Sequence, residues 1–284
     1  NFILNEIINS PENRHFIYLD DKNEIIIGKS DVQTDNFDVI QFANRSIQKV
    51  SIPSSIKIID SFAFSECHSL RSVEFSQNSK LIKIGEGSFS YSGIRNISIP
   101  SSTKIIEKYA FFECAYLQSI EIKNDSELKI IEKKAFGDCL ISSLFIPTYL
   151  EKLQENWNYG LFNLKNVMIS PDNKKFKYLD EKHEIIVEKS EKCKENYDTI
   201  VFVNKEIENP FIPSTIKYIK SNSFSFCDNL KTVEFDKNSE LISIGKWSFY
   251  SSSIEKILIP SNVTKIPKYA FYRCQQLQKV DFSI

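Results

Sequence analysis

Six cysteines, three histidines and a scatter of carboxylates are the side chains of this sequence whose types suit chemistry. Cys67, Cys114, Cys139, Cys227 and Cys274 each follow a Phe at the third position, whereas Cys193 lies alone in the polar run Glu191-Lys192-Cys193-Lys194. His15, His68 and His183 are isolated, and His183-Glu184 opens like a zinc-protease H-E-x-x-H motif but has Val187 where the second His belongs. Gly85-Glu86-Gly87 lacks the third glycine of a dinucleotide fingerprint. Glu74 with Glu121, and Glu234 with Asp281, are carboxylate pairs by position only, with nothing near them that would raise a pKa for glycoside hydrolysis. No catalytic residue, metal ligand or cofactor is expected.

Charge and composition narrow the classes further. With 36 Lys+Arg against 37 Asp+Glu the chain carries a formal charge of -1, so it lacks the basic surplus from which nucleic-acid binders draw most of their affinity. A hydrophobic fraction of 42% is globular, and no apolar run reaches the roughly 20 residues of a membrane-spanning helix. The chain opens on Asn1 without the charged and apolar regions of a signal peptide. N-x-S/T sequons at Asn44, Asn96, Asn124 and Asn262 occur at about the chance rate for this composition.

The elements that must position these residues follow from internal repetition. Residues 10–124 match residues 170–284 at a constant offset of 160, without a gap and with about half the positions identical. Two modules are thus expected within one solenoid over 1–284: a copy at 1–160 and a shortened one at 161–284. Inside each module Ile52, Phe75, Ile99, Ile122, Ile146 and Ile169, then Ile212, Phe235, Ile259 and Phe282, recur with one short period. Each closes an L-x-x-L-x-L frame, such as Leu70, Val73 and Phe75, whose last two positions alternate as in a short strand with one buried face. Pro after the strand, as in Ile52-Pro53-Ser54, ends it without harming a ladder bond. Units this short bury apolar surface only by stacking, which predicts one parallel strand per repeat. Between Ile169 and Ile212 the interval nearly doubles, and the same extra length precedes Ile52. There, alternation on both sides of Asp20-Asp21-Lys22-Asn23 and of Asp180-Glu181-Lys182-His183 predicts hairpin insertions at about 10–46 and 170–206.

The run from Ile52 to Leu70, with Ala-Phe-x-x-Cys at Ala63–Cys67 and again at Ala110–Cys114 and Ala270–Cys274, resembles the BspA-like, or Treponema pallidum-type, leucine-rich repeats. That resemblance implies a right-handed curved array with a parallel β-sheet on its concave face. It also implies a cell-surface or secreted microbial or protist protein, from a pathogen, that adheres to host cells, matrix proteins or other microbes, and no catalytic residues. A structural stalk and a parallel β-helix polysaccharide enzyme are the competing classes; the first calls for a uniformly polar concave column, the second for acidic or metal-binding clusters.

Repeat phase assigns the remaining expectations. Cys67 and Cys114, two repeats apart, are separated by about 10 Å, twice the strand spacing and beyond disulfide reach; Cys114 and Cys139 sit in adjacent repeats and could approach, yet a stacked Cys is more often a small buried hydrophobe, so the in-phase thiols are expected buried and reduced and Cys193 exposed. The Phe series Phe64, Phe89, Phe111, Phe136, Phe224, Phe249 and Phe271 is expected to form a core ladder. Glu155-Asn156-Trp157-Asn158-Tyr159 replaces the Ala-Phe-x-x-Cys stretch in one repeat. The residue between the last two frame positions faces outward on the concave side, running Glu74, Ser98, Glu121, Phe145, Met168, Phe211, Glu234, Leu258 and Asp281. Phe145, Met168 and Phe211, with Leu258, Glu121 and Glu234, are the expected partner-binding residues, unless the insertion at 176–187 folds over them. Both ends of the chain, Leu4, Ile7 and Asn9 and then Val280-Asp281-Phe282, look like uncapped repeat strands, which predicts weak end-to-end self-association.

Overall fold

A computed structural model describes residues 15–20, 22, 24–30, 36–191 and 195–283. Leu4, Ile7, Asn9 and Cys193, which carry expectations above, lie outside the described residues. Strands and turns account for the regular structure of these residues, without a helix. The chain divides into two compact units, Asn1–Leu161 with Ser170–Asp172, and Phe162–Ile169 with Asn173–Ile284.

In the first unit the predicted frame strands form as Lys49–Ile52, Ser72–Phe75, Asn96–Ser98, Ser119–Glu121 and Ser143–Ile146. Lys49–Ile52 pairs in parallel with Ser72–Phe75, and Asn96–Ser98 with Ser119–Glu121. The expectation of one strand per repeat is incomplete. The aliphatic pair after each turn forms a second, two-residue strand, and Ile58–Ile59, Lys83–Ile84, Ile105–Ile106, Ile130–Ile131 and Lys152–Leu153 stack in parallel into their own sheet. Backbone groups on that side of the coil thereby find partners in the adjacent coil, as buried peptide groups must. The second unit repeats the plan. Phe211–Ile212, Thr232–Phe235, Lys256–Ile259 and Lys279–Phe282 form a four-stranded parallel sheet, and Tyr218–Ile219 with Ser243–Ile244 form the second sheet.

Each insertion is a hairpin extended to a three-stranded antiparallel meander. Phe16–Tyr18, Ile25–Lys29 and Phe37–Ala43 in the first unit correspond to Phe176–Tyr178, Ile185–Lys189 and Tyr197–Val203 in the second. The last strand of each joins the second sheet in parallel, Val39 facing Ile58 and Thr199 facing Tyr218. Asp180 closes its hairpin turn by accepting hydrogen bonds from the Glu184 and Ile185 amides at 3.0 and 2.7 Å.

The Phe series is the predicted core ladder. Phe64, Phe89, Phe111 and Phe136 are fully buried and stack at centroid separations of 5.0, 5.2 and 5.6 Å. Phe224, Phe249 and the half-buried Phe271 stack likewise at 4.8 and 5.0 Å. The turn that carries each Phe holds two residues in left-handed conformation, for example Phe62 and Glu66, Tyr109 and Glu113, or Tyr269 and Arg273. The cysteine that ends this turn answers a backbone carbonyl of the preceding coil. Cys114 Sγ donates to Phe89 O at 3.0 Å, Cys139 Sγ to Phe111 O at 3.0 Å and Cys274 Sγ to Phe249 O at 2.9 Å. A small apolar side chain with one weak donor suits that position.

In the atypical repeat the backbone is kept and the filling changes. Asn156 and Gly160 take the two left-handed positions, and Trp157, 1% exposed, enters the core one residue before the usual Phe, whose place Asn158 occupies.

Candidate functional site

Alternation along each frame strand buries the branched residues and turns the residue between them outward. In the second unit this sets four side chains in one row. Phe211 is the register partner of Glu234, and Leu258 that of Asp281. Thr232 and Val233 face Lys256 and Ile257, which brings Glu234 beside Leu258. Phe211 and Leu258 are 55% and 53% exposed, and Glu234 and Asp281 are exposed between and beside them. The row therefore alternates apolar and acidic at the strand spacing of about 4.8 Å. Lys279 Nζ lies 2.8 Å from Asp281 Oδ2, and the surface dips into a pocket lined by Glu234, Leu258, Lys256 and Asp281.

The column is less uniform than repeat phase suggests. Met168 is 45% exposed on Asn166–Ile169, and that strand is not hydrogen-bonded to Phe211–Ile212 among the described residues. The meander at Phe176–Val203 enters the chain between them. Tyr178 anchors the meander here: its hydroxyl accepts from the Ile169 amide and donates to Val167 O, both at 3.1 Å. It leaves Met168 and Phe211 open rather than covering them. Phe145 is half-buried on Ser143–Ile146 of the first unit. Glu121, exposed, is the register partner of Ser98, and Ser51 that of Glu74. The first unit's row is thus polar from Ser51 to Glu121. Glu74 and Glu121 have the Ser98 strand between them, and Glu234 and Asp281 the Leu258 strand, so neither pair meets across a bond-sized gap.

Of the thiols, Cys67, Cys114, Cys139 and Cys227 are buried and free, and Cys274 is free and half-buried. Burial pushes the Cys67 and Cys227 thiols up to about 11. No group of three or more metal-binding side chains occurs among the described residues, and no helix there is long and apolar enough to cross a membrane.

One surface feature is not implied by the repeat frame. Trp247, Tyr250, Tyr269 and Tyr272 gather on the turn side of the second unit, with Trp247 stacked on Tyr269 at 4.3 Å. A signal for it exists in the sequence, since aromatic residues fill the positions two before and one after the core Phe in two successive repeats. Period alone assigns those positions to the turn and says nothing of their meeting.

The sequence of the BspA-type leucine-rich repeat region is matched in six copies over residues 36–165 and 196–284. No curated protein matches the chain. Among solved structures, the pneumococcal vaccine antigen PcpA superposes with a TM-score of 0.75 at 19% identity, covering 94% of this chain and 78% of that one. A leucine-rich cell surface protein from Faecalibacterium prausnitzii gives 0.59 at 18% identity over 96% of each chain. A leucine-rich-repeat protein from Eubacterium ventriosum gives 0.64 at 18%, covering 90% of this chain and 66% of that one. At these identities the likeness is one of fold.

Proposed function

This chain belongs to the BspA-type leucine-rich-repeat family, and we propose that it is a non-catalytic adhesion scaffold of a microbial cell surface that holds a host or microbial surface or matrix protein on its concave sheet. The row Phe211–Glu234–Leu258–Asp281 carries this reading. Two large apolar side chains kept more than half exposed and alternating with carboxylates suit a protein partner that presents apolar anchors among hydrogen-bond donors or basic groups. Met168 is a further contact within the second unit, and Phe145 and Glu121 are proposed as contacts of the first unit on its own frame strands. Surface location is supported by kinship, since the F. prausnitzii neighbour is a cell surface protein. The polar row of the first unit favours a second role there, as a spacer.

The test is binding of a panel of purified matrix proteins to the immobilised chain, wild type against Phe211→Glu and Leu258→Glu. Each substitution should weaken capture about tenfold or more. Binding that neither substitution changes would remove the concave row from the function.

A further inference from the structure

On the turn side of the second unit, four aromatic rings form a corner. Trp247 and Tyr269 stack at 4.3 Å and 19°, and Tyr250 and Tyr272 lie parallel within 7° at 6.0 Å. The two pairs stand nearly at right angles: Trp247 makes 83° with Tyr250 and 88° with Tyr272, and Tyr269 makes 76° with Tyr272. Tyr269 and Tyr272 are 38% and 47% exposed, and Trp247 and Tyr250 half-buried.

The backbone does not ask for these residues. Trp247 and Tyr269 sit at φ of 59° and 66°, where bulky side chains are unusual and Gly or Asn is favoured. At the same turn position the other described coils have Phe62, Gly87, Tyr109, Lys134, Asn156 and Asn222, so bulky residues occur there, but Phe62 is followed by Gly87 and Tyr109 by Lys134 in the next coil. Left-handed backbone costs a bulky residue some strain, and the repeat frame does not require rings stacked in two successive coils.

Beside the rings lies a polar pocket. Asp228, Ser251, Ser253, Arg273, Gln275 and Gln276 line it, and Arg273 links it to the rings by donating to the Tyr250 hydroxyl at 3.2 Å. Within the pocket Arg273 and Asp228 offset each other in charge and the rest are hydroxyls and amides, while the flexible head groups of Lys268 and Arg273 lie over the Tyr269 and Tyr272 rings at 4.7 and 5.8 Å.

From this juxtaposition of a right-angled aromatic corner and a net-neutral set of donors and acceptors, we infer that the turn side of the second unit binds a neutral oligosaccharide. A pyranose has an apolar C–H face to lay on a ring and a rim of hydroxyls that pair with amides, hydroxyls, Asp and Arg. Small-ligand sites generally combine aromatic walls with a few convergent polar groups. Four rings on two coils fall short of the roughly 800 Å² per partner of a standard protein interface.

Trp247 offers its own readout, because the chain's other tryptophan, Trp157, is 1% exposed in the first unit. The whole chain is titrated with cellotetraose, chitotetraose, mannotetraose and lacto-N-tetraose while tryptophan emission is followed. At least one sugar should quench it saturably, and Tyr272→Ala and Gln275→Ala, both at exposed positions, should weaken that binding about tenfold or more with melting unchanged. Trp247→Phe should abolish the signal and keep binding measurable by calorimetry. Phe211→Glu and Leu258→Glu should leave sugar binding intact, which separates this site from the concave row. Absence of a saturable response to any of the four sugars overturns the inference. So does a response that Tyr272→Ala and Gln275→Ala leave unchanged, or a platform whose variants weaken capture of a matrix protein instead.

Discussion

Arg45 and Lys205 occupy the same point of the two modules and meet opposite surroundings. Arg45 Nη1 donates to Ala43 O at 3.2 Å and Ala63 O at 3.0 Å and reaches Cys67 Sγ at 3.8 Å, and its guanidinium lies over the Phe42 ring. Lys205 is 4% exposed, and its Nζ, 5.0 Å from the Phe202 ring centre, has no hydrogen-bond partner among the described residues. A planar fork with five donors spans several carbonyls, and a single ammonium does not. Its chain neighbours pair elsewhere: Asn204 Nδ2 donates to Lys165 O at 2.9 Å, and Glu206 pairs with Lys165 Nζ at 2.7 Å.

Burial therefore pushes the Lys205 pKa down from 10.5, against the pull of Cys227 and Asp228. Lys205→Met should stabilise the second unit by about 1–3 kcal/mol near neutral pH, the usual cost of an unsatisfied buried polar group. With the folded value below the unfolded one, the native state binds fewer protons in between, so this contribution to stability rises with pH through that window. Cys67 and Cys227 act the other way between 9.0 and about 11, where the folded protein holds more protons. Melting of wild type and Lys205→Met at several pH values checks the sign: their gap should narrow as pH rises. A gap constant with pH would mean that Lys205 is solvated.

Thiol accessibility gives a second check on the repeat register. Denatured protein should release all six thiols of the sequence, whereas in native protein Cys67, Cys114, Cys139 and Cys227 should react slowly, being buried and, for Cys67 and Cys227, protonated far above neutral pH. Fewer than four thiols after denaturation without reductant would reveal bridges, against the free thiols of the described residues.

Surface and core positions of one repeat should separate cleanly. Phe211→Glu and Leu258→Glu should shift stability by no more than about 0.5 kcal/mol, as exposed positions do. Phe224→Ala, in the fully buried ladder, should cost about 3–5 kcal/mol. Chemical denaturation measures both, and a comparable loss in the two classes would place Phe211 under cover.

The atypical repeat offers a swap. Trp157→Ala should cost about 3–5 kcal/mol, and adding Asn158→Phe should recover a good part of it by extending the ladder past Phe136. Equal stability of the single and double variants would show that this coil no longer accepts the Phe.

Strand Lys279–Phe282 pairs with Lys256–Ile259 and is exposed along its length, Val280 at 36% and Phe282 at 60%. We propose that this edge supports weak self-association of the 1–284 polypeptide. Sedimentation at two concentrations should show it, and Val280→Lys with Phe282→Lys should abolish it. A wild type that stays monomeric at high concentration would refute the edge pairing.

The frame strands, the Phe ladder, the in-phase cysteines and the two insertions were legible in the sequence because a repeat solves one packing problem many times. Ile52 and Phe75, or Phe64 and Phe89, occupy equivalent positions in equivalent coils, so the period is itself the geometry. What differs between coils is decided by contacts between residues far apart in the chain, and period carries no information about those. The second strand in each coil arises because Ile58 and Ile59 meet Lys83 and Ile84 of the next coil. Met168 and Phe211 are open because the meander docks through Tyr178 onto the Val167 and Ile169 backbone rather than across them. Arg45 and Lys205 look interchangeable as letters, and only the carbonyls within reach of each head group distinguish a satisfied side chain from a stranded one. Trp247, Tyr250, Tyr269 and Tyr272 become one surface only when left-handed turns of adjacent coils stack in register.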